Sequence, residues 1–214
     1  MTRIFTLFLG LAALASAETI TSSCSIPVST APVSATCTLN TWNHAGTLTG
    51  ITILETFNTS AAISVFNIGS VSRTFEDATA SIPFTVSGPT GDLFSFNATA
   101  GPVSGIAWNG FSFTNPTVVF TPVSTTDSYI NLTPDEWAAF TSPPSTVSLS
   151  VTSGQGIFSG STDSPGELFF GGTAKTSGTL MVLYQYSPVE GVPEPVTMAM
   201  VGGGLLMLGI FKRK

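Results

Sequence analysis

The chain has 214 residues, with Lys+Arg 6 against Asp+Glu 12, a single His and a formal net charge of −6. Only 8% of residues are charged, well below the roughly 25% of an ordinary soluble protein, so surface polarity must come from Ser, Thr, Asn and Gly. Arg3, Lys212, Arg213 and Lys214 sit at the two ends, which leaves Arg73 and Lys175 as the only bases between; without a basic patch for phosphate, nucleic acid is excluded as a partner.

Residues 1–17 have the three parts of a secretory signal peptide. Arg3 makes a short positive start, residues 4–14 are apolar, and Ala15-Ser16-Ala17 supplies the small-x-small pattern that signal peptidase accepts before Glu18. The alternative is an uncleaved anchor, but the apolar run is short for a membrane span. Export places Cys24 and Cys37 in an oxidising compartment, where a lone pair is expected to form a disulfide. Their spacing is not CxxC and no His flanks them, which argues against a metal or redox site.

Residues 18–191 are expected to form one exported domain, with no internal repeat and no domain-splitting linker. β-prone segments recur every ~8–12 residues between Gly and Pro. Phe94 and Phe96, then Phe111 and Phe113, alternate with small polar residues. Thr133-Pro134-Asp135-Glu136 predicts a helix start, with Thr133 as N-cap, Pro134 in the first turn and Glu136 closing a capping box. Trp137 to Phe140 extend that helix until Pro143-Pro144 ends it, as a plug over one end of the fold. Ser145–Thr152 follows as a strand with Val147, Leu149 and Val151 on one face. Leu180, Val182, Tyr184 and Tyr186 show the same period of two. The expected fold class is all-β: an antiparallel sandwich of about ten strands with one short helix, plus an N-terminal signal helix and a C-terminal transmembrane helix.

The last segment, residues 192–214, has three parts in order. Val192-Pro193-Glu194-Pro195 breaks structure, residues 196–211 form an apolar run about 24 Å long as a helix, and Lys212-Arg213-Lys214 is a basic stop. Basic residues stay on the cytoplasmic side, so the domain lies outside the cytoplasm. This tail resembles the PEP-CTERM sorting signal of Gram-negative bacteria, with Pro193-Glu194-Pro195 as its signature. The resemblance implies transient membrane anchoring, recognition by the membrane peptidase exosortase, and passage to the cell surface or extracellular matrix. It also implies exopolysaccharide as a partner. A plain anchoring helix is the alternative. The sequons at Asn58, Asn97 and Asn131 also raise a GPI tail, but such tails usually end apolar.

A second, looser resemblance concerns residues 40–187. Trp42-Asn43-His44-Ala45-Gly46-Thr47-Leu48-Thr49-Gly50-Ile51-Thr52 is similar to the opening of choice-of-anchor E domains, and Phe111-Ser112-Phe113 and Trp137 to Phe140 resemble later elements of that module. It implies no catalytic residues, and it leaves the Cys24–Cys37 segment unexplained.

No catalytic group and no cofactor is expected. His44 is the only histidine, so a His-based metal cluster or a Ser-His-Asp triad has little to draw on, and no GxSxG elbow is present. Glu76-Asp77 and Asp135-Glu136 are paired acids, but neighbours on a strand point to opposite faces, and Glu136 has its capping role. Asp92, Asp127 and Asp163 form no calcium loop, although a sandwich can bring distant ligands together. Trp42, Trp108 and Trp137 can either stack on sugar rings or pack into the fold. The sequence thus leads to a non-catalytic surface or matrix protein. A carbohydrate-binding module is the alternative, and an unrecognised hydrolase is the third reading.

Overall fold

A computed structural model describes residues 17–109, 114–141 and 145–188. The signal segment before Ala17, the Phe111-Phe113 strand, the Pro143-Pro144 stop and the whole C-terminal tail lie outside the described residues. The described chain forms ten strands: β1 (Glu18–Thr30), β2 (Ser34–Asn40), β3 (Thr47–Asn67), β4 (Arg73–Gly88), β5 (Gly91–Ala107), β6 (Thr117–Phe120), β7 (Ser124–Asn131), β8 (Thr146–Ser153), β9 (Ile157–Thr162) and β10 (Leu168–Ser187). A 3₁₀ turn, Pro134–Glu136, and one helical turn, α1 (Ala138–Thr141), stand between β7 and β8.

The strands make two antiparallel sheets, as the alternation predicts. In the first, β1 pairs β10 and β10 pairs β3, while β6 and β7 share the far edge of β3. In the second, the order is β2-β8-β4-β5, with β9 beside β8 on the same edge of β4. The sharing follows from length: β3 has 21 residues and β4 has 16, so two short strands tile one side of each long one. Every second residue of β3 from Ile51 to Asn67 is buried, and β8 buries Val147, Leu149 and Val151. These residues meet β4 and β5 in a core where Phe57 lies 4.7 Å from Phe84 and 5.2 Å from Phe96, ring centre to ring centre. The outward positions of β2, β4 and β8 are largely Ser and Thr, which is how so few charges suffice for a wet surface.

Cys24 on β1 and Cys37 on β2 are joined by a disulfide with a Cα–Cα distance of 5.8 Å. Because β1 is an edge of the first sheet and β2 an edge of the second, the bridge ties the two layers together along one seam. The other seam is closed by β5 against β7. The capping expected at Thr133 is present: the Glu136 carboxylate accepts from the Thr133 backbone N–H at 2.7 Å and from its hydroxyl at 2.8 Å. The turn starts as 3₁₀ rather than α, and Phe140 of the following α1 is sunk into the core. Gly172 is required where it stands, at φ +144°, since a Cβ there would lie 2.1 Å from the Ala62 carbonyl oxygen.

Candidate functional site

The three tryptophans occupy two opposite ends of the sandwich. Trp42 follows β2, its backbone N–H donates to the Phe140 carbonyl at 2.8 Å, and its ring packs against Tyr186 at 4.7 Å and Tyr184 at 6.0 Å. Trp137 donates its indole N–H to the Leu132 carbonyl at 3.1 Å. Both are half-buried and belong to the plugged end. Trp108 is 67% exposed and stands just past β5, where its backbone N–H donates to the Thr117 hydroxyl. Gly105 to Ala107 before it are the last residues of β5. Trp42 neighbours the start of β3 and Trp108 its end, roughly 60 Å apart along that strand. The three rings form no common platform.

The acids are also placed in ways the sequence did not give. Glu76 and Asp77 sit at a bulge in β4, where the register slips between Phe75 and Ala78 and Asp77 adopts φ 52°. Both side chains therefore face solvent, where regular alternation predicts opposite faces. Glu76 and Asp163 line one shallow groove with Thr74, Ser161 and Thr162. Among the described residues, no group of three or more His, Cys, Asp or Glu is placed to hold a metal ion. Asp135 is exposed on the 3₁₀ turn, and His44 is exposed with its ring 5.4 Å from Trp42. Arg73 is engaged by Glu167, with Nε 2.7 Å from the carboxylate.

Two groups missed by the sequence reading stand out. The first is Tyr129 on β7, 69% exposed. By register with Leu54 it lies on the outer face of the first sheet, beside Leu54 and Met181. It is flanked along β7 by Asn131, which accepts from the Thr52 hydroxyl, and by Asp127, which accepts from the Thr56 hydroxyl, each at 2.7 Å. One step further, Thr125 donates to Asn58 at 2.8 Å. Phe120, 76% exposed, is on the same face further along β3. An exposed ring over an apolar floor, bordered by amides and a carboxylate, matches the chemistry of a pyranose, which offers C–H faces and hydroxyl edges.

The second group is Glu55, which points inward from β3 and is 1% exposed. Neither carboxyl oxygen has a well-formed hydrogen bond, and the Ser128 hydroxyl facing it across the ladder is a weak donor. Burial raises its pKa from 4.5 to about 7, against a smaller lowering pull from the Ser128 hydroxyl across the ladder. The signal was in the sequence, since Ile51, Ile53, Glu55 and Phe57 alternate on one face of a strand.

No family model and no curated protein matches the chain. Among solved structures it is similar to a chain in the structure of the infectious bursal disease virus Gx strain, at 11% identity and a TM-score of 0.24, covering 82% of this chain and 37% of that one. A likeness of that size carries no argument about function.

Proposed function

We propose that this chain is an exported, non-catalytic bacterial β-sandwich delivered to the cell surface or extracellular matrix through its C-terminal tail. In this reading residues 1–17 are a signal helix removed by signal peptidase, and residues 196–211 are a transmembrane helix awaiting exosortase. The observation that carries it is where the sandwich starts and stops. β1 begins at Glu18, the residue expected after cleavage, and Glu18 pairs with Tyr186 near the end of β10. The first and last strands of the sandwich therefore end side by side, and in this reading removal of either targeting segment takes no strand from a sheet. A buried Cys37 in a bridge between the two sheets supports an oxidising destination. Among the described residues no helix is long and apolar enough to cross a membrane; in this reading the anchor is the apolar run of residues 196–211.

The test is to change Pro193-Glu194-Pro195 to Ala-Gln-Ala. Those residues add nothing to insertion, which depends on the apolar run and its basic flank. Two prolines do hold the backbone extended and open to a protease. The variant should be exported and inserted normally but keep its tail in a host with exosortase. Processing identical to the parent would leave only a plain anchor.

The carbohydrate-binding reading is favoured by one observation, the Tyr129 face. The domain keeps Arg73 and Lys175 as its only bases, and Arg73 is paired with Glu167. A neutral glycan suits such a surface better than an acidic one.

A further inference from the structure

Glu55 is out of place by ordinary rules. A carboxyl group taken from water costs free energy unless it is paired, and an uncompensated charge costs far more. Beside it on the same face of β3 are Ile53 and Phe57, and across the ladders are Leu180 on β10 and Ser128 on β7; Phe57 in turn packs on Phe84 and Phe96 of the opposite sheet. None of these titrates or carries charge. Asp127, the nearest acid on β7, faces outward and is held by Thr56. The buried group is thus held neutral to a higher pH than a solvated one, and once ionised it is stabilised by reaching water.

The two strands beside it differ in how firmly they are held. β10 lies between β1 and β3, hydrogen-bonded on both sides for most of its 20 residues. β7 is an edge strand of 8 residues hydrogen-bonded to β3 alone, with β5 packed beside it but sharing no ladder. Its inward positions are Ser124, Thr126, Ser128 and Ile130, so a single aliphatic side chain glues it to the core. An edge with so little apolar burial sits at the low end of local stability. It is the cheapest element to move when the carboxyl needs water.

We propose that Glu55 gates β7: the strand is docked on the first sheet while the carboxyl is protonated and is released when it ionises. The direction follows from the cited values. With 4.5 for the solvated group and about 7 for the buried one, docking is fully favoured below the lower value and weakens as pH rises through the upper one. Opening should rise from pH 5 to 7 and level off above, by roughly 50- to 100-fold between pH 5 and 8. An open β7 bares the unpaired edge of β3, the usual template for strand addition.

The experiment is hydrogen exchange on the full-length chain at pH 5 to 8, corrected for intrinsic exchange, with strand closing fast relative to exchange. Amides of Ser124–Asn131 should lose protection by that factor. Those of β1, on the opposite edge of the same sheet, should not follow. In E55Q and in E55L the β7 amides should show no such dependence. The proposal is overturned if corrected β7 exchange in the parent is flat with pH, if β1 and β7 change together, or if either folded variant keeps the parent's dependence. The parent comparison of β7 with β1 decides the matter even if both variants fail to fold.

Discussion

Opening the Cys24–Cys37 bridge tests how the two layers are held together. The residues are 13 apart in sequence, and closing a loop of that size removes unfolded-state freedom worth about 3 kcal/mol in the chain-entropy model. In the folded state the same bond spans the seam between β1 and β2, where Cys37 is 1% exposed. Substitution would add the cost of missing sulfur atoms to the cost of the missing link. Reduction of the parent separates the two, because both sulfurs stay in place. We therefore expect reduction to lower stability by about 3 kcal/mol, or ~6–12 °C in Tm for a domain of this size, and C24A/C37A to lower it further by about 1 kcal/mol for the lost packing. The assay is urea unfolding of oxidised parent, reduced parent and variant, with thiol content checked by mass. A reduced parent within 1 kcal/mol of the oxidised one would refute the loop-entropy reasoning. A variant no less stable than the reduced parent would refute the packing part.

Phe57, fully buried against Phe84 and Phe96, should cost about 3–5 kcal/mol when changed to Ala, read by the same unfolding assay; a loss under 1 kcal/mol would mean the two sheets do not meet there. Tyr129→Ala should leave stability within about 0.5 kcal/mol and abolish retardation on a neutral polysaccharide in affinity electrophoresis. Equal retardation of parent and variant would remove the outer face of the first sheet as a glycan surface. Glu136→Ala removes the acceptor for Thr133 N–H and should cost about 1 kcal/mol in a thermal melt, with no change expected if the cap is frayed in solution.

Local chemistry is what the sequence by itself determined. The period of two over β8 and β10 settled which side chains face inward, because a strand turns successive residues to opposite faces whatever it pairs with. Thr133-Pro134-Asp135-Glu136 specified its own capped turn, since all the groups involved lie within one turn of chain. The cysteine pair was legible from number and from the expected compartment. The tertiary structure alone decided what depends on partners far away in the chain. Pairing of β1 with β10 and of β2 with β8 set Cys24 and Cys37 on edges of different sheets. The bulge at Glu76-Asp77 arose from register against β5 and β9, which no local pattern encodes. Trp42 and Trp108 have the same side chain, yet one is held by Tyr184 and Tyr186 and the other faces water. Glu55 shows the division most clearly. Alternation predicts its face, but its full burial required β10, β7 and the opposite sheet to close around it, and burial is a property of those neighbours rather than of the residue.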